Sequence, residues 1–312
     1  MSAKGFRRLA SVSLAALFVV VTSGAFVRLT GSGLGCENWP RCGDTPYPEQ
    51  GFHAFVEFGN RVVAAMGILV ALATWLASRR TPGLSRLARL AALGAFLGSA
   101  AQIPLGGVTV ILDLHPLAVM AHFLLALVVV ALAVVVLLEA WSLERGRAQP
   151  VEPRWMRRAV VWIGIPLGAA LVVSGAVATA SGPHPGADED VERLGLGIAD
   201  TVYWHVRVAA VFGICVLVLG VLLLRRRREA PGLVLLWAVL LAALVAQAVL
   251  GEVQYRSALP WGLVLVHVFL AASIWTLLVA LAVALSRPAA PLVAPAGATA
   301  DRKEFVKVTH SV

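Results

Sequence analysis

The chain consists largely of long apolar runs, each long enough to cross a lipid bilayer as a helix. A helix needs about 20 mostly apolar residues to span the hydrocarbon core. The strands of a membrane barrel would instead be about half as long and would alternate with polar positions. The pattern therefore predicts an all-α integral membrane protein with eight transmembrane helices, near residues 9–27, 55–77, 89–111, 117–138, 157–179, 202–224, 232–253 and 261–285.

Composition narrows the class further. Of the 312 residues, 59% are apolar and 14% are charged, with a net charge of +9. Basic proteins that bind nucleic acid carry abundant charge on a polar surface, and disordered chains lack apolar residues. Both classes are excluded, and the expected surroundings are a lipid bilayer with no nucleic acid.

Basic residues before the first span leave two interpretations of it. Lys4, Arg7 and Arg8 precede an apolar run, as in a secretory signal peptide. The run is long for a signal peptide and its sequence recurs later in the chain, so we interpret it as a structural helix.

The distribution of positive charge predicts the orientation. Twenty of the 26 Lys and Arg residues lie on the side that holds both termini, and the side richer in Lys and Arg is cytoplasmic. The excess charge is therefore a topology signal. We expect a multi-pass protein of the cell membrane with cytoplasmic N- and C-termini.

Two stretches of the first half recur in the second. The sequence from Val21 to Ala25 returns 151 residues later, and that from Gln102 to Gly106 returns 145 residues later. The second offset also superposes His122 on His267 and Asn60 on His205. Four spans per half give both halves the same orientation, which predicts two tandem four-helix bundles related by a pseudo-two-fold axis along the membrane normal.

The repeat also divides the chain into regions. The predicted regions are an N-terminal half (1–140), a cytoplasmic linker (141–157), a C-terminal half (158–286) and a disordered cytoplasmic tail (287–312).

Three histidines lie inside predicted spans at similar depths, towards the outer leaflet. Ionisable residues in apolar helices are costly and therefore indicate function. Two imidazoles on facing helices suit the axial positions of a haem iron, whereas no helix shows the i, i+4 ligand spacing typical of zinc sites. His122, His205 and His267 are therefore predicted haem-iron ligands, and Arg207, near the outer end of its span, is a candidate partner for a propionate.

The remaining histidines and cysteines receive simpler interpretations. His53, His115 and His184 are expected at the surface, and Cys215 is expected to fill space within a span. Cys36 and Cys42 lie in the first outer loop, where thiols oxidise readily. A disulfide is expected there, and the spacing leaves open whether it is structural or redox-active.

These residues together resemble the haem A synthase family. The resemblance covers the eight spans and rests on Thr30 to Cys36 with Cys42, on Glu57 to Arg61, on Ser181 to Gly186 and on the three membrane histidines. It implies an oxidoreductase that converts the C8 methyl group of haem O to a formyl group, giving haem A for cytochrome oxidase. It further implies haem O synthase and an electron acceptor as partners, and it leaves a homo-oligomer open.

The resemblance also implies a role for each half. The second half would hold a haem b cofactor between His205 and His267. The first half would receive the substrate haem beside Glu57 and His122. We further expect Glu57, close to Arg61 in this site, to accept protons as the catalytic residue; the alternative is that Glu57 only forms an ion pair with Arg61. The cysteine pair resembles a disulfide that supports or regulates turnover.

One position departs from the family pattern. The family commonly shows Glu-x-x-His-Arg on the second span, whereas this chain has Asn60 at the histidine position. An amide is a poor iron ligand, so we expect His122 to be the single axial ligand in an open first-half site. The second half would have a closed pair of ligands.

Two other functions compete with this interpretation. A b-type electron-transfer protein would need paired histidines in both halves, which Asn60 argues against. A haem transporter built from parallel repeats would have helices broken near the bilayer midplane, and Pro104 and Pro166 keep that alternative open.

Overall fold

The protein is a bundle of long helices. The computed structural model describes residues 1–36, 39–44, 47–48, 51–187 and 191–294, and eight helices in these ranges are long and apolar enough to span a membrane. Each predicted span lies inside one of them, which confirms the all-helical membrane class. The helices are α1 (Ala3–Leu29), α2 (Phe52–Arg79), α3 (Arg86–Ile111), α4 (Pro116–Arg145), α5 (Arg154–Ser181), α6 (Ile198–Leu224), α7 (Pro231–Arg256) and α8 (Trp261–Ser286).

Helix contacts are organised by halves. In the first half α1 contacts α2 and α4, and α3 contacts α2 and α4; in the second half α5–α6, α6–α7, α7–α8 and α5–α8 make the same closed ring. The rings meet through α4–α8, α1–α8 and α4–α5 contacts. The two-fold axis between the halves stays a prediction, and the packing of α1 on α2, α4 and α8 agrees with its interpretation as a structural helix.

The turns that connect α3 to α4 and α7 to α8 also match. Asp113 and Leu114 connect α3 to α4 with φ of 46° and 58°, and Ala258 and Leu259 connect α7 to α8 with φ of 61° and 59°. Non-glycine residues rarely adopt this left-handed conformation. In both turns the second residue donates its backbone N–H to a carbonyl five residues earlier, at 2.8 Å. The 145-residue offset is thus repeated in backbone geometry as well as in sequence.

The two halves fill their interiors differently. A cavity of about 10 Å³ within the first half is lined by small side chains that include Ala92, Ala95 and Ala133. The equivalent positions of the second half carry Trp237, Leu240 and Leu278, which belong to its buried core. Interiors are normally close-packed, so the difference shows that the core side chains have diverged while the helix arrangement is shared.

The two prolines behave differently. Helix α3 continues without interruption through Pro104. In α5, a π-helical turn at Val160–Gly164 directly precedes the segment that contains Pro166. Proline removes a backbone donor and crowds the carbonyl four residues earlier, which explains a wider turn at this place.

The linker and the start of the tail pack together at the basic end of the bundle. Ala148 donates its N–H to Pro288 O at 3.0 Å, and Ala290 donates its N–H to Gly146 O at 2.8 Å. Leu292 joins the buried core of the second half. The expectation of disorder from residue 287 is therefore wrong for residues 287–294, because these residues find backbone partners and apolar contacts; residues 295–312 lie outside the described residues.

A buried carboxylate ties this end together. Glu139 on α4 is 2% exposed and accepts hydrogen bonds from Ser85 at 2.5 Å, from Arg147 at 2.8 Å and from Arg287 at 2.5 Å. Ser85 caps α3, Arg147 belongs to the linker, and Arg287 follows α8. One side chain thus joins both halves and the segment between them.

Candidate functional site

Two histidines face each other in the second half. His205 near the start of α6 and His267 near the start of α8 have ring centroids 6.5 Å apart and ring planes at 57°. Ser174 on α5 lies 2.9 Å from His205 Nδ1, and Gln247 on α7 donates to His267 O at 3.1 Å. All four helices of the half therefore contribute to positioning this pair.

The two imidazoles would suit a haem iron. Two imidazole nitrogens on opposite sides of one metal, each about 2 Å from it, place the ring centroids roughly 6 Å apart. Neither ring's Nε2 makes a hydrogen bond within the described part of the chain, and there no third His, Cys, Asp or Glu completes a metal-binding cluster. Two imidazoles are the donor set that haem needs, because the macrocycle supplies the remaining ligands.

Glycines leave room for both rings. A Cβ at Gly175 would lie 3.0 Å from His205 Cε1, and one at Gly251 would lie 3.3 Å from His267 Cε1. The His205 ring therefore packs against α5 and the His267 ring against α7. A larger residue at either glycine would have to displace the ring above it.

The first half repeats this arrangement with one substitution. Gln102 donates to His122 O at 3.1 Å, the same distance as its counterpart in the second half. Ser23 donates to Asn60 Oδ1 at 2.7 Å, where the second half has its serine–histidine contact. His122 Nδ1 is buried without a partner among the described residues. The first half thus has one imidazole and one amide at the positions where the second half has two imidazoles.

Glu57 holds the cysteine loop against α2. Its side chain is buried, and its carboxylate accepts the Cys36 backbone N–H at 2.8 Å and an Arg61 N–H at 2.5 Å. Arg61 also donates to the carbonyls of Pro40 and Arg41 at 3.0 Å. Both carboxylate oxygens are therefore engaged in positioning the loop.

The predicted disulfide between Cys36 and Cys42 is present, with Cα atoms 4.4 Å apart. It closes the loop that Glu57 and Arg61 anchor. Trp39 from the same loop lies over Gly107 on α3, next to the glycine that faces His122. The loop therefore covers the end of the first half at which α1 ends and α2 begins.

Arg207 lies apart from the facing histidines. It is two residues after His205, which on a helix corresponds to about 200° of rotation. Its side chain is exposed, stacks on Tyr203 and donates to Tyr203 O. The structure does not bring it to the histidine pair, and its pairing with a propionate stays a prediction.

Three other histidines make contacts at loops or at a helix end. His53 is exposed and lies 2.9 Å from Ser32 Oγ, and His115 caps α4. His184, expected in a solvent-exposed turn, is instead partly buried, with its Nε2 2.8 Å from Leu259 O.

Sequence reasoning missed Arg28 and the polar residues behind the histidines. Arg28 on α1 donates to His184 O at 2.9 Å and to Thr179 O at 3.0 Å, and so links the first half to the second. No local pattern marks this contact. In contrast, Ser174 and Gln247 belong to the repeated motifs, so the repeat itself was the signal that could have identified them.

Comparison with known proteins decides the family. A sequence model described as COX15-CtaA, cytochrome oxidase assembly protein, matches residues 7–51 and 44–279. The chain belongs to this family.

Relatives within the COX15-CtaA family carry a more specific name. The chain is 35% identical over 180 residues to a protein named heme A synthase from Symbiobacterium thermophilum, covering 54% of this chain and 57% of that protein. It is 29% identical over 175 residues to the heme A synthase of Bacillus licheniformis, with the same two coverages. The chain thus spans about half the length of the curated relatives it matches, and the resemblance to the haem A synthase family is confirmed.

Proposed function

We propose that this protein is a haem A synthase that oxidises the C8 methyl group of haem O to a formyl group. The observation that carries the proposal is the pair of histidines across α6 and α8 together with its altered copy in the first half. An electron-transfer protein would need two strong ligands in each half, whereas Asn60 leaves one imidazole in the first.

One half would bind the cofactor haem and the other half the substrate haem. The second half, residues 158–286, would hold haem b between His205 and His267, and that haem would supply one-electron redox chemistry when bound. Ser174 orients the His205 ring, and Gln247 fixes the backbone at His267. The first half, residues 1–140, would bind haem O through His122 and leave the opposite face open for exchange.

The reaction would draw its oxygen from water. A two-electron oxidation of the methyl carbon with loss of a proton would leave a cationic carbon, and water would add to it with loss of a second proton. A further two-electron oxidation, with addition of a second water molecule and loss of two protons, would give a hydrate that loses water to form the aldehyde. The electrons would pass to an external acceptor.

Glu57 is the proposed proton acceptor. Both of its oxygens are engaged, so it would take up a proton by weakening its bond to Arg61. General bases contribute about 10²–10⁴-fold to rates, so Glu57→Gln should lower haem A formation by at least about 10²-fold at normal haem content. Glu252→Gln, which alters an exposed ion pair with Arg256, is the matched control; haem A formation unchanged in Glu57→Gln would remove the assignment.

The function is tested by supplying purified protein with haem O and an electron acceptor and resolving haems B, O and A by chromatography. Conversion of O to A supports the proposal, and retention of haem O without conversion contradicts it. His205→Ala and His267→Ala should each abolish the low-spin b-haem spectrum. If both variants keep that spectrum, the ligand assignment is wrong.

The surroundings follow from the same proposal. We infer a cell-membrane protein with the arginine-rich helix ends and both termini in the cytoplasm, and with the histidines towards the outer leaflet. Haem O synthase would supply the substrate.

A further inference from the structure

An open cavity of about 300 Å³ lies at the basic end of the bundle, far along α5 from the histidine pair. It is formed by the start of α5 and the end of α8. Its lining residues are Arg154, Arg157, Arg158, Val161, Trp162 and Ser286. Nothing in the proposed haem chemistry uses this place.

The arginines of this cavity are not neutralised within the described residues, where none of the three makes an ion pair. Other arginines at the same end do pair with carboxylates, as Arg226 does with Glu229. Arg157 Nε is buried and has no hydrogen-bond partner in the described part of the chain. A guanidinium in this state favours an anion with oxygens that accept two N–H bonds, such as a phosphate.

Glu152 is an acid that interacts electrostatically with Arg157. Neither of its carboxylate oxygens accepts a hydrogen bond within the described residues. The Glu152 carboxylate therefore does not serve as the hydrogen-bond partner that Arg157 Nε lacks.

The other wall of the cavity is apolar and faces outwards. The Trp162 side chain is 76% exposed, and Val161 beside it is 39% exposed. Both residues belong to the π-helical turn of α5, and π-turns are frequent at functional sites. Tryptophan near a helix end is typical of the headgroup level of a bilayer. The cavity thus joins a cluster of cations to a surface suited to acyl chains.

We propose that this cavity binds the headgroup phosphate of an anionic phospholipid, with an acyl chain packed along Trp162. Basic pockets between helices at the cytoplasmic face of membrane proteins suit anionic headgroups. The proposal is independent of the haem function, since none of the lining residues belongs to the histidine sites.

The test compares lipid retention by the full-length protein in native mass spectrometry from detergent. The probes are phosphatidylglycerol and phosphatidylcholine with identical acyl chains. The wild type should retain phosphatidylglycerol preferentially, and R154Q/R157Q/R158Q should weaken that retention about tenfold or more. The matched control R225Q/R227Q/R228Q removes the same charge from exposed arginines outside the cavity and should change retention less than about twofold.

Three outcomes overturn the proposal: equal retention of both lipids by the wild type, equal losses in the two triple variants, or displacement of the lipid by millimolar inorganic phosphate. The last result would identify a site for free anions. If the triple variant does not fold, Trp162→Ala decides, because it keeps every charge. It should weaken retention of phosphatidylglycerol several-fold, and unchanged retention would refute the role of the apolar wall.

Discussion

The glycines beneath the histidine rings allow a matched test of the two halves. Gly175 and Gly24 occupy equivalent positions of the repeat, on α5 and α1. A Cβ at Gly175 would lie 3.0 Å from His205 Cε1, whereas a Cβ at Gly24 would meet nothing within 4 Å. The difference follows from the smaller side chain of Asn60 in the first half.

The expected effects of alanine at these two positions have opposite signs. Replacing a helical glycine by alanine gains up to about 1 kcal/mol from helix propensity, and Gly24→Ala should keep that gain. At Gly175 the ring must move by several tenths of an ångström, and overpacking of this kind costs about 1–3 kcal/mol. Gly175→Ala should therefore be about 1–3 kcal/mol less stable than Gly24→Ala.

Thermal unfolding of the purified variants measures the difference in stability. The absorption spectrum measures the displacement of His205, because a shifted ring weakens the low-spin b-haem signal. Gly251→Ala provides an intermediate case, since its Cβ would lie 3.3 Å from the His267 ring. Equal stability and identical spectra of the Gly24 and Gly175 variants would refute this reasoning.

Three further predictions concern other parts of the molecule. Asn60→His should give the first half a second imidazole, positioned by Ser23. The low-spin haem content should then rise towards two per chain, and release of the substrate haem should slow. An absorption spectrum like that of the wild type would contradict the equivalence of position 60 with His205. Glu139→Gln should lower the free energy of unfolding by about 1–3 kcal/mol. This is less than the full cost of breaking a buried ion pair, because the arginines that pair with Glu139 are partly exposed. Thermal unfolding should show a larger loss of stability for Glu139→Gln than for Glu252→Gln. Burial raises the pKa of Glu152, so the folded protein keeps that proton to higher pH than the unfolded chain and stability falls as pH rises between the two pKa values. Glu152→Gln should therefore be more stable than the wild type near neutral pH and equal to it below about pH 4; an advantage that persists at low pH would contradict burial as the cause.

The spans were predictable because hydrocarbon imposes a minimum apolar length on every helix. The ends of the helices were less predictable. Helix α1 begins six residues before the predicted apolar run, because Ser2 accepts the Gly5 N–H and caps the helix. Capping depends on single side chains and backbone angles, which an apolar run does not encode.

The site was partly predictable from the repeat. The 145-residue offset of the repeat placed His205 at the depth of Asn60 and His267 at the depth of His122. The structure brings the rings of His205 and His267 together. The contacts of Arg28 and Glu139 could not be predicted, since each joins segments that are far apart in sequence and meet through helix packing alone. The packing of residues 287–294 has the same origin.

The carboxylate that joins both halves has a consequence for biosynthesis. Glu139 and Arg287 are separated by 148 residues, and synthesis proceeds at about 5–20 residues per second. For roughly 7–30 seconds after Glu139 is made, Arg287 does not yet exist. During that interval Glu139 has Ser85 and soon Arg147 as its partners, and the contact with Arg287 forms only after the last helix is complete. The first bundle is therefore expected to reach its final stability late, when the end of the chain arrives beside it.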